Sequence, residues 1–202
     1  MTPERLFRLS GVALILGSLL TAVAVVTGDS IFYNDPKAFT NPLWVPLNLS
    51  SLIGSMLVLL GLPGMYARQA ARAGWPGLVG FVLTFFAGLI MGVAGPAILA
   101  FIPTFSEPTV PNIFLSLMFS AGVILLGAAT MRAGILPRWA GLLLVIAGCG
   151  VALENLVSVE PLATIISDGS GVLFMLGILW FGYALLTQKG VEEAPSPFAS
   201  AQ

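Results

Sequence analysis

Residues 138–148 read RWAGLLLVIAG: one arginine, one tryptophan, then an apolar run broken only by glycine and alanine. The run continues to residue 159, about 20 residues from Ala140. At about 1.5 Å per residue that length crosses a hydrocarbon core of roughly 30 Å. The same opening occurs twice earlier, as RLSGVALILG from Arg8 and GWPGLVGFVL from Gly74, which makes Gly11, Gly77 and Gly141 equivalent. Each of these runs is followed by another that starts after a proline, Pro46, Pro111 or Pro161. Each second run reaches a glycine about four turns later, in VLLG (Gly61), ILLG (Gly127) and FMLG (Gly177). Proline suits the first turn of a helix, where its missing N–H goes unused.

The pattern predicts an all-α membrane protein with six transmembrane helices, at 9–27, 43–66, 76–101, 111–131, 140–159 and 162–187. They pair as three pseudo-repeated helical hairpins (about 8–68, 74–133 and 138–189) in one domain, 1–187. Residues 188–202, with GVEEAPSPFASAQ, read as a disordered tail. Backbone polar groups have no water to bond in lipid, so runs this long and uniform must be helices rather than barrel strands.

Composition agrees. Of the residues, 57% are apolar and 8% charged, against a charged share of about 25% in soluble domains. The net charge of −1 and the lack of a basic patch with aromatics exclude nucleic acid. There is no histidine and one cysteine. A His-ligated haem or zinc, a Ser-His or Cys-His dyad, a disulfide and a Cys-ligated cluster all lack their residues. Cys149, in GCG, is expected to be a small buried packing residue.

Basic residues set the orientation. Arg5 and Arg8 precede span one, Arg68 and Arg72 separate spans two and three, Arg132 and Arg138 separate four and five, and Lys189 follows six. These sites alternate onto one side and only Lys37 falls on the other, so both termini are expected in the cytoplasm. Arg5, Arg8 and the AVA at 22–24 also resemble a signal peptide; membership of the repeat favours an uncleaved helix. The aromatics Phe32, Tyr33, Phe39 and Trp44 of the first outer loop are expected to form an interfacial belt.

The stretch MRAGILPRWAGLLLVIAG (131–148), a short basic loop running into a glycine-rich span, resembles that of uncharacterised bacterial multi-pass membrane proteins, families known only as domains of unknown function. The resemblance implies a bacterial inner membrane and no activity. The three-hairpin plan is similar to that of mitochondrial carriers, but their acid-and-base motif after each odd helix is absent here.

Polar residues within the spans are concentrated in the outer halves. Asn48, Ser51 and Ser55 lie in span two, and Asn112, Ser116 and Ser120 in span four. Glu154 and Asn155 end span five, and Asp168 and Ser170 begin span six. The expected result is a polar cavity opening outward above an apolar plug. Helical spacing puts Ala147, Gly150 and Glu154 on one face, and Thr164, Asp168, Gly171 and Met175 on another. Small residues mark helix–helix faces, so both acids are expected to face inward and to lie at similar depth. With every Lys and Arg outside the spans, at least one acid is expected to hold a proton or bind a cation. The ligand or proton site is therefore placed at Glu154, Asp168, Asn155, Ser170, Asn48, Ser51, Asn112 and Ser116. Gly95, Pro96 and Pro63 are expected to kink their helices. Gly88 and Gly92 form a GxxxG for packing within the monomer.

The function expected is a small transporter or channel, or an outward-facing protein binding a small ligand or lipid. The alternative is a non-catalytic accessory or scaffold subunit of a larger membrane complex. Enzymatic activity is not expected, nor is a cofactor or metal. The partners expected are the bilayer, a small solute, cation or lipid, and a membrane-complex partner or a second copy of the chain.

Overall fold

A computed structural model describes residues 3–32, 37–102, 109–157 and 159–187. These residues form helices and short connections, with no strand among them. In order they are α1 (Pro3–Phe32), a 3-10 turn (Ala38–Thr40), α2 (Trp44–Gly88), a π-helical segment (Leu89–Ala94), α3 (Gly95–Phe101), α4 (Thr109–Ala133), α5 (Arg138–Glu154) and α6 (Glu160–Thr187). The tail from 188, Tyr33 and Ser158 lie outside the described residues.

Among the described residues, four helical stretches are long and apolar enough to cross a membrane: Glu4–Gly28, Trp44–Phe101, Pro111–Ala133 and Leu162–Thr187. The sequence predicts six. Its second and third spans both fall within the 58-residue stretch, and α5, at 17 residues, is shorter than expected. α5 ends at Glu154 rather than near residue 159. There the Asn155 side chain turns back and donates from Nδ2 to the Val151 carbonyl (2.8 Å), as a short polar side chain does where it competes with the helical ladder.

The long α2 is two arms folded back on each other at Gly74, whose φ of 62° and ψ of −167° are the non-helical angles inside it. Only glycine adopts that region without strain. Contacts across the turn pair residues placed symmetrically about it. Tyr66 stacks on Phe81 with ring centroids 4.9 Å apart. Gly88 packs against Leu59, and Gly92 against Ser55. Near the far tips, Trp44 Nε1 donates to the Leu99 carbonyl (3.0 Å). Pro63 lies inside the first arm with helical backbone. The π segment directly precedes Gly95, and Pro96 sits in the first turn of α3. The chain reverses again at Gly134, also with positive φ (65°), where its N–H bonds to the Thr130 carbonyl (3.2 Å) and closes α4. Both turns are preceded by Arg-Ala, at 72–73 and 132–133.

The helices close a ring. α1 packs on α2, α2 on α4, α4 on α5, α5 on α6, and α6 back on α1. Glycines let the backbones touch along these seams. A Cβ on Gly11 would come within 2.8 Å of the Gly182 carbonyl, one on Gly127 within 2.6 Å of that of Gly141, and one on Gly17 within 2.6 Å of that of Gly54. Where lipid supplies no hydrophobic drive between helices, close approach maximises dispersion contact.

One end of the ring is basic. It holds the start of α1, the Gly74 turn, the Gly134 turn and the start of α5. The Arg68 guanidinium lies 5.5 Å from the centre of the Phe7 ring there, within cation–π range. In the half next to this end the axis is solid. Leu14, Leu62, Met65, Leu126, Leu144, Ile178 and Phe181 are fully or almost fully buried. Gln69, on the same face of α2, is 0% exposed, and neither of its amide atoms has a hydrogen-bond partner.

Candidate functional site

Away from the basic end the axis is not filled. A chamber of about 290 Å³ lies there, walled by all the long helices. α1 gives Thr21 and Val25; the first arm of α2 gives Ser51, Ser55, Val58, Leu59 and Leu62; the second arm gives Thr84 and Gly88. Met91, Gly92 and Pro96 follow from the π segment and α3. The opposite wall is Phe119 and Val123 of α4, Ala147, Gly148 and Val151 of α5, and Ser170, Gly171, Phe174 and Met175 of α6. An edge-on contact between Phe119 and Phe174 (5.2 Å) spans α4 and α6 along this wall.

The hydroxyls are unevenly distributed. Thr21, Ser51 and Ser55 stand together on the α1–α2 side, whereas α4 and α5 present only apolar atoms and glycine. The Ser170 hydroxyl is already used, donating to the Ile166 carbonyl (2.5 Å). Those of Thr21 and Thr84 are not. Both threonines are buried (5% and 1% exposed), and neither Oγ1 has a partner. Both oxygens are covered by a neighbouring helix, Thr21 Oγ1 lying against Gly54 and Thr84 Oγ1 against Gly122, and a buried hydroxyl without a partner costs about 1–3 kcal/mol.

A second pocket of about 250 Å³ adjoins the chamber on the hydroxyl side. It is lined by Ala24, Val25, Gly28, Phe32, Trp44, Leu47, Asn48 and Ser51. Val25 and Ser51 belong to both walls, so the two spaces adjoin across these side chains. Phe32 and Trp44 meet at 5.3 Å, and the Asn48 amide is held by a bond from Nδ2 to the Trp44 carbonyl (2.9 Å).

The expected site residues fall into three groups. Asn48, Ser51 and Ser170 line these spaces. Asn155 and Ser116 instead join two helices: Asn155 Nδ2 donates to Ser116 Oγ (2.9 Å), beside a bond from Ser120 Oγ to the Gly148 carbonyl (2.7 Å). Asn112 and Asp168 are exposed and Glu154 is half-buried, and none of the three is among the described wall residues. Glu154 follows the wall residue Val151 by three positions, and Asp168 precedes Gly171 by three. Both acids thus stand about one turn beyond the chamber, on its rim. Cys149 is exposed, contrary to the buried position expected, because α5 turns Ala147, Gly148 and Val151 inward and leaves residue 149 outside. Thr21 and Thr84 are the site residues that sequence reasoning passes over. Their signal is a lone hydroxyl inside an otherwise apolar run.

Compared with known proteins, the chain matches no family model, no curated sequence and no solved structure.

Proposed function

We propose that the chain is a six-span membrane protein whose chamber, open to the non-cytoplasmic side, holds a small and largely apolar ligand. The six-span reading is supported by the fold-back of α2 at Gly74, which makes two crossings of one long stretch, and by α5 packing between α4 and α6. Three hairpins agree with the facing of Leu14 with Gly61, Gly80 with Leu126, and Leu144 with Gly177. In each case the odd-span residue lies three positions after the repeat glycine. The gathering of arginines at one end supports a cytoplasmic location for that end and both termini. The layout resemblance supports a bacterial inner membrane.

The observation that carries the reading is the chamber itself. It lies at the centre of the ring, above a solid plug, with apolar walls and a few hydroxyls. Ligand sites in proteins have this character, a mainly apolar concavity with a few polar groups that fix orientation. A cavity of roughly 150 Å³ suffices for benzene. The rim acids Glu154 and Asp168 are placed to meet a solute or cation on approach rather than to hold the bound ligand.

Native mass spectrometry of protein taken from its own membranes tests this. The wild type is expected to carry a small-molecule adduct that is lost in Val151→Phe and in Gly171→Leu. A Cβ at Gly171 meets nothing within 4 Å, so that variant does not disturb the packing. An adduct equally retained by both variants would remove the chamber as its site. No adduct together with a stoichiometric protein partner would favour an accessory subunit instead.

A further inference from the structure

The shape and chemistry of the two adjoining spaces narrow the ligand further, on the reading just given. We infer that it is a single-chain amphiphile with an uncharged head: the chain lies in the chamber against α4, α5 and α6, and the head rests in the side pocket at Asn48 and Ser51.

Three observations lead there. The chamber is two-sided, with Thr21, Ser51 and Ser55 facing an apolar wall that includes Phe119, Val123 and Val151. Its hydroxyl side is the one that borders the side pocket, across the shared Val25 and Ser51. A molecule spanning both spaces therefore meets apolar surface along one end and hydrogen-bonding groups at the other. The volume sets the size. At about 290 Å³ the chamber is near the lower bound of roughly 300 Å³ for drug-sized sites, room for one slender chain and not for two acyl chains.

The third observation concerns the head. The described polar groups around it are hydroxyls and a carboxamide, which recognise hydroxyl, ester or amide groups. A carboxylate or phosphate enclosed beside them would give up its hydration with no opposite charge among the described wall residues to replace it.

Trp44 lines the side pocket and reports directly on its contents. In a protein whose other tryptophans are replaced (Trp75→Phe, Trp139→Phe, Trp180→Phe), reconstituted in nanodiscs of unlabelled phosphatidylcholine, a dibrominated stearoyl monoglyceride is the probe. It should quench Trp44 saturably, at a mole fraction about tenfold or more below that needed for dibrominated stearate or dibrominated phosphatidylcholine. Asn48→Leu and Ser51→Ala should each raise that fraction about fivefold, the worth of one hydrogen bond, and Gly171→Leu should abolish saturation.

Stearate quenching as well as the monoglyceride would overturn the uncharged head, and phosphatidylcholine quenching as well would overturn the single chain. If none of the three quenches saturably while the native adduct persists in the wild type and is lost on filling the chamber, the binding reading stands and this ligand class is wrong. If the adduct is also missing, both fail.

Discussion

The half of the bundle beside the basic end and the half around the chamber are cut from the same helices, and both have glycine seams. What differs is the residue turned toward the axis. Along α2 it changes from Ser51, Ser55 and Val58 at the chamber to Leu62 and Met65 in the plug. Along α1 it changes from Thr21 and Val25 to Leu14, and along α5 from Val151 and Ala147 to Leu144. On these three helices long side chains close the axis in the plug, and hydroxyl, methyl and β-branched side chains border the chamber, whose remaining wall includes Met91, Phe119, Phe174 and Met175. The seams hold the ring together in both halves, and the shorter side chains of α1, α2 and α5 make the room in the hollow one.

That contrast breaks most visibly at Phe181. It is fully buried in the plug, and Phe181→Ala removes contacts that lipid cannot replace. The expected cost is about 3 kcal/mol, read as a shift in SDS-driven unfolding; a cost below about 1 kcal/mol would mean that the plug is not closely packed. Gln69→Met should act in the opposite direction. It keeps the side-chain length, removes two buried polar atoms without partners, and should stabilise by about 1–2 kcal/mol. Lower stability in that variant would show that the amide does have a partner in the membrane.

Smaller still is the effect of filling the hollow half. Gly171→Leu should change stability by under about 1 kcal/mol while abolishing the adduct, because it occupies space that nothing else uses. Smallest is the rim. Asp168→Asn and Glu154→Gln should leave stability within about 0.5 kcal/mol and chamber occupancy within about twofold. A tenfold loss of occupancy in either would return the acids to the ligand site.

Much of this architecture can be read in the sequence, since twenty-residue apolar runs have few ways to satisfy their backbones. Leu162–Thr187 is one of the stretches long and apolar enough to cross a membrane among the described residues, and the turns at Gly74 and Gly134 both carry Arg-Ala-Gly. The facing of side chains is less legible, for a physical reason. Small residues are expected to mark the inward face of a span. In a ring each helix has two seams and one axial face, and glycine gathers at the seams: Gly11 at Gly182, Gly17 at Gly54, Gly127 at Gly141. Glycine also lines the chamber, at Gly88, Gly92, Gly148 and Gly171, so a small residue marks a seam and the axis alike. The small residues beside Asp168 and Glu154 therefore do not by themselves fix where the acids point, and neither acid is among the described wall residues. The lone hydroxyls of Thr21 and Thr84 carry no such pattern.

The seam between α1 and α6 has a consequence for how the protein is made. It joins α1 to α6, so the ring cannot close until α6 has left the ribosome. At translation rates of roughly 5–20 residues per second, α1 and α2 wait on the order of ten seconds for α6 to arrive. During that interval the hollow half is open sideways along the missing helix, and bilayer lipid has free access to it. On the proposed reading, an occupant drawn from the bilayer is enclosed as α6 docks.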